Sequence, residues 1–115
     1  MSNPPKKKGT AYEKHVLERY LQHIWATADR AALHGTEDIG DFTGCGRWVI
    51  EAKAQERLAL PEWIEKTTAK ARKMGYHWMV VFKRDKRGAL RKDYVVVDAD
   101  TFFDMLGQLD YTWRR

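Results

Sequence analysis

Apolar positions along this chain follow two different periods. Between Ala11 and Ala28, Tyr12, Val16, Leu17, Tyr20, Leu21, Ile24 and Ala28 recur three and four residues apart, which predicts an amphipathic helix. Asp29 to Glu37 is a polar connection containing Gly35. Gly44 and Gly46 then suit a tight turn, and Trp48-Val49-Ile50 suits a strand, so a hairpin is predicted over about Asp38 to Gln55. Pro61 opens a second helix that Gly75 stops, with Trp63, Ile64, Thr67, Ala71 and Met74 as its buried stripe. His77 to Lys83 is nearly all apolar and reads as a central strand covered on both faces, with Tyr94 to Val97 as its partner. A last helix spans about Ala99 to Leu109, capped by Asp98 or Asp100, with Phe102, Phe103, Leu106 and Leu109 as its apolar set. Tyr111, Trp113, Arg114 and Arg115 form an aromatic, basic tail that could dock on the domain or on a second subunit.

The order helix, hairpin, helix, strand, strand, helix predicts an α/β domain with a mixed central sheet flanked by helices. The helix after the hairpin is a crossover long enough to join two parallel strands. Residues 1–9, with Pro4, Pro5, Lys6, Lys7, Lys8 and Gly9, read as a flexible basic arm, leaving 10–115 as one domain.

Charge sharpens this picture. The 115 residues carry a formal net charge of +5, a profile that suits an anionic partner such as nucleic acid. Six basic residues and one acidic residue fall between Lys83 and Lys92, so the basic character is local. Lys83, Arg84, Lys86 and Arg87 either grip an anionic partner or form a solvated hairpin tip. Lys66, Lys70 and Lys73 share a face of the second helix that could lie along a phosphate backbone or simply be solvated. Cys45 is the only cysteine, so no intrachain disulfide forms and a cytoplasmic setting is expected. No apolar run is long enough to span a bilayer, and no apolar segment follows the N-terminal lysines as a secretory signal requires.

The candidate chemistry lies between Asp38 and Lys53. Alternation puts Glu51 and Lys53 on one face of their strand, and an aspartate from the preceding strand can reach the same place. Two carboxylates can hold a hard divalent cation, and a nearby lysine can orient a water and offset charge on a phosphate. A solvated, charge-paired strand face is the competing explanation. A three-residue turn at Gly44 to Gly46 would pair Asp41 with Val49 and place it on the Glu51 face, whereas a two-residue turn would put Asp38 there. Glu13, at the edge of the first helical stripe, either leans toward the site or closes a capping box with Thr10. His15 and His23 read as solvent-side residues, because neither has a partner at metal-ligand spacing.

This order, with Glu13, Asp38 or Asp41, Glu51-Ala52-Lys53, the basic second helix and the Val80-Val81-Phe82-Lys83-Arg84 strand end, resembles the PD-(D/E)xK nuclease superfamily. Within it the chain is most similar to small archaeal and phage Holliday junction resolvase-like endonucleases, over roughly Thr10 to Leu109. The proline that usually precedes the metal aspartate is missing here. The resemblance implies a restriction-endonuclease-like αβββαβ core and a magnesium-dependent DNA endonuclease for which manganese can substitute. Asp41 (or Asp38), Glu51 and the Ala52 backbone carbonyl would ligate the metal, Lys53 would serve the attacking water, and Glu13 would assist. It also implies a homodimer acting on four-way or branched DNA in the cytoplasm, the host's if the chain is phage-encoded. A less selective nuclease, a non-catalytic nucleic-acid-binding module and a protein-interaction domain are the alternatives.

Overall fold

The apolar run after the glycine turn forms a strand buried along most of its length. In the computed structural model, which describes residues 4–31, 40–84 and 92–114, this strand is β3 (Trp48–Lys53). Before it come helix α1 (Pro4–Arg19), β1 (Asp29–Arg30) and β2 (Phe42–Thr43). After it come α2 (Leu60–Met74), β4 (His77–Arg84), β5 (Lys92–Val96) and α3 (Ala99–Arg114). The result is the expected mixed α/β domain: a three-stranded sheet ordered β3-β4-β5 and flanked by helices.

The crossover through α2 makes β3 and β4 parallel, with Glu51 opposite Val80 and Lys53 opposite Phe82. β5 returns antiparallel to β4, with Asp93 opposite Lys83. Alternation along the strands splits the core in two. Ile50, Ala52 and Val81 pack with Tyr12, Val16 and Leu17 of α1, while Val80 and Phe82 pack with Trp63 of α2. α1 and α2 therefore cover opposite faces of the sheet.

α2 follows its sequence signals. Pro61 lies in its first turn, and Gly75 ends it in the left-handed conformation, with its N–H and that of Tyr76 bonded back to Arg72 and Ala71. Asp98 is the cap of α3, accepting the N–H and the hydroxyl of Thr101 at 3.0 and 2.8 Å.

Several boundaries differ from the sequence pattern. α1 begins at Pro4 rather than Ala11, so Thr10 lies inside it and cannot be the cap of a capping box with Glu13. α1 also stops at Arg19, and a 3-10 turn (Leu21–His23) replaces the predicted last turns. A period of three still delivers Leu21 to the core but turns Ile24 out, 68% exposed. β5 starts at Lys92, ahead of Tyr94, and α3 runs on past Leu109 to Arg114.

The predicted hairpin is the main correction. β2 does not pair with β3; it pairs antiparallel with β1. The 27–31 segment takes up the backbone around β2: Thr27 Oγ1 donates to the Gly44 carbonyl, and the Ala31 N–H to the Asp41 carbonyl, each at 2.9 Å. Among the described residues, the backbone of this segment meets β3 at an isolated parallel bridge from Gly40 to Ile50. Among the described residues, no helix is long and apolar enough to cross a membrane.

Candidate functional site

β3 places three of the predicted residues. Its alternation sends Glu51 and Lys53 to the α2 face of the sheet and turns the backbone of Ile50 and Ala52 to the edge away from β4. At that edge the Asp41 N–H donates to the Ile50 carbonyl at 3.0 Å. Asp41 Oδ2 then accepts the Ala52 N–H at 2.8 Å. The carboxylate thus fills the ladder position that a neighbouring strand would otherwise occupy. In an extended strand the N–H and C=O of one residue point the same way, so the Ala52 carbonyl faces Asp41 as well.

Glu51 is only 4% exposed and abuts Asp41, with which it shares a side-chain hydrogen bond. Burial, followed by the charge of Glu51 and that shared bond, pushes the Asp41 carboxyl from its ordinary 3.8 up to about 8. The Ala52 N–H opposes this rise and the charge of Glu13 adds to it. Lys70 Nζ, reaching in from α2, donates to Glu51 Oε1. Glu13, half-buried on α1, does not cap its helix; its Oε1 accepts Arg30 Nε and Nη2, each at 3.1 Å. Lys53 is half-buried and has no side-chain hydrogen-bond or ion-pair partner among the described residues.

The donor set suits a hard divalent cation. Magnesium takes oxygen ligands, keeps several waters and commonly binds through one or two carboxylates. Asp41, Glu51 and the Ala52 carbonyl offer oxygens at one edge, and two abutting carboxyl groups call for positive charge. No group of three or more His, Cys, Asp or Glu side chains among the described residues converges as a metal cage. The third acid, Glu13, is turned to Arg30, and one oxygen of Glu51 is turned to Lys70.

The basic residues do not form one face. Lys66 stands in solvent paired with Glu62 at 3.1 Å, and Lys73 is exposed, but Lys70 points inward. Lys83 lines a cavity with Lys92, Tyr12, His15 and Asp93, and Arg84 is exposed at the end of β4. Lys86, Arg87 and Asp38 lie outside the described residues. Cys45 is buried and burial pushes its thiol up to about 11, which argues against a cysteine nucleophile.

Arg30 and Asp93 are absent from the sequence pattern, and Lys70 takes a place other than the expected phosphate-facing one. Arg30 lies on a two-residue strand, too short to carry a period. Lys70 carried a usable signal: Trp63, Thr67 and Lys70 fall four and three apart, which puts this lysine on the inward stripe, whereas Met74, expected on that stripe, is 39% exposed. Asp93 accepts from Tyr12 (2.8 Å), Tyr20 (2.7 Å) and His15 (2.8 Å), tying α1 and the turn after it to β5. Only the fold brings these together, across 73 to 81 residues of chain.

Among solved structures the fold is similar to that of Hjc, a Holliday junction resolvase from the archaeal hyperthermophile Archaeoglobus fulgidus. The match has a TM-score of 0.50 at 24% identity and covers 80% of this chain and 85% of that one, a likeness of fold. No protein-family model matches the chain, and no curated protein does.

Proposed function

We propose that this chain is a magnesium-dependent, structure-specific DNA endonuclease of the PD-(D/E)xK kind that cuts four-way or branched DNA in the cytoplasm. The observation that carries the reading is the abutting pair of Asp41 and Glu51 at the edge of β3, with Lys53 two residues along on the Glu51 face. The resolvase-like fold supports it.

Asp41, Glu51 and the Ala52 carbonyl would hold the metal. When bound, magnesium polarises the phosphate and lowers the pKa of its water. Lys53 orients the attacking water and offsets the charge that builds on the phosphate. Attack forms a new P–O bond and breaks the P–O3′ bond; the 3′ oxygen leaves as a hydroxyl and the phosphate stays on the 5′ end. Glu13 adds negative charge on the α1 side of the same carboxyl group. Lys66, Lys73, Lys83 and Arg84, with Lys86 and Arg87, grip the DNA backbone.

Cutting two opposed strands calls for two active sites, hence a homodimer. The apolar side chains that α3 leaves in solvent supply a surface for it, with Phe103 and Leu109 each 65% exposed.

The ion pairs of Glu51 with Lys70 and of Glu13 with Arg30 favour a second reading, a junction-binding module without cleavage. The test is a labelled four-way junction beside a linear duplex of the same sequence, with magnesium and with chelator. Wild type, Glu51→Ala, Asp41→Ala and Asp38→Ala are run together. The endonuclease reading expects paired cuts on the junction alone, abolished by Glu51→Ala and Asp41→Ala but not by Asp38→Ala. Cuts on both DNAs would point to a less selective nuclease. Tight binding with no cuts in magnesium or manganese would leave the binding module.

A further inference from the structure

Lys70 belongs to the inward face of α2. Thr67 and Ala71, its neighbours on that stripe, are 1% and 2% exposed, and its own side chain is 24% exposed. A lysine so placed lays its aliphatic stem along the apolar stripe and brings its ammonium to a partner, because a buried charge without one is costly. Glu51 Oε1 is such a partner. Lys66, one turn earlier, instead pairs with Glu62 in solvent.

We propose that Lys70 is the resident counter-cation of the carboxylate site, and that it competes with a divalent metal ion for Glu51. The inference rests on the metal-dependent reading above. Asp41 Oδ2 is engaged by the Ala52 N–H, and Glu51 Oε1 by the Lys70 ammonium. A divalent ion drawn to both carboxyl groups meets the positive charge of Lys70 at the same oxygen. Like charges at one oxygen repel, so binding of the ion and the Lys70–Glu51 pair exclude each other. The flexible four-carbon stem and partial exposure of Lys70 give the ammonium a way out to solvent. Lys70 therefore lets Glu51 stay buried when no metal is bound, at a cost in metal affinity.

The test measures Mn2+ binding to the full chain without DNA, by calorimetry and by electron paramagnetic resonance. Wild type is compared with Lys70→Met, which removes the charge, and Lys70→Gln, which keeps a donor for Oε1. Circular dichroism checks that each is folded, and Lys70→Gln carries the comparison if Lys70→Met does not fold. The folded variants are expected to bind Mn2+ on the order of tenfold more tightly than wild type, the usual scale of coupling between two sites. Equal or weaker binding by the variants, with wild type binding normally, overturns the competition and leaves the metal reading intact. No Mn2+ binding by any folded form overturns both.

Discussion

The carboxylate of Asp41 accepts the backbone N–H of Ala52 at 2.8 Å, across a sequence separation of eleven residues. The bond continues a ladder begun by the Asp41 N–H on the Ile50 carbonyl. It fixes the carboxyl group against Glu51, where burial and the neighbouring charge push it up to about 8. Unfolded, Asp41 ionises near 3.8, so between about pH 4 and pH 8 the folded chain holds one proton more than the unfolded chain. Asp41 therefore stabilises the fold most below about pH 4, and that stability is lost as the pH rises to about 8. Urea unfolding of wild type should show this decline. Asp41→Asn, whose amide oxygen still accepts the Ala52 N–H, should flatten it, and saturating magnesium should flatten it in wild type. Equal slopes in wild type and Asp41→Asn would count against the shared carboxyl site.

Two glycines hold the chain around this site for different reasons. Gly44 has a φ of +71°, and a Cβ there would lie 2.1 Å from the Thr27 carbonyl oxygen. Backbone cannot yield that far, so Gly44→Ala should destabilise the domain by about 1–3 kcal/mol or more, read as a lower urea midpoint. Gly40 has a φ of +97° and its Cβ would meet the Ile50 carbonyl oxygen at 2.9 Å. Gly40→Ala should push Asp41 off β3, lowering Mn2+ affinity and cleavage more than stability. A variant with wild-type metal affinity would contradict this placement.

Asp93 clamps α1 to the sheet. Burial raises its carboxyl, but the hydrogen bonds from Tyr20, His15 and Tyr12 outweigh this and hold it below the ordinary 3.8. Its stabilising effect is therefore present above about pH 4 and is lost as the pH falls below that. Asp93→Ala strands Tyr12 and Tyr20 and should cost about 2–4 kcal/mol. Chemical denaturation at pH 7 and pH 3 checks both statements: the gap between wild type and Asp93→Ala should narrow in acid.

The exposed side of α3 tests the proposed dimer. Phe103→Asp and Leu106→Glu place charge on a surface that is now apolar and solvated. In light scattering the wild type should run as a dimer and the double variant as a folded monomer, with unchanged circular dichroism. Paired cuts on a junction should become single nicks. A wild type that stays monomeric at high concentration would remove the dimer from the model.

Much of the fold was legible in the sequence because it depends on local rules. Pro61 and Gly75 bracket α2, Asp98 opens α3, and the apolar run of β4 marks a covered strand. The misplaced parts lacked such signals. β1 and β2 are two residues each, so alternation has nothing to act on, and the glycine turn makes the segment before β3 look like half of a hairpin. The end of α1 was overrun because a 3-10 turn keeps nearly the same apolar spacing as an α-helix.

For the site, alternation alone put Glu51 and Lys53 on one face and proposed an aspartate beside them. The sequence could not choose between Asp38 and Asp41 through a turn count, since no hairpin pairs β2 with β3. The tertiary structure brought Asp41 to Glu51 through the Gly40–Ile50 bridge, turned Lys70 inward from a row of lysines and gathered Tyr12, His15 and Tyr20 on Asp93. Periods, caps and turns act over a few residues and are written locally. Which charges meet depends on sheet register and helix packing, and those are settled only when distant segments share one core.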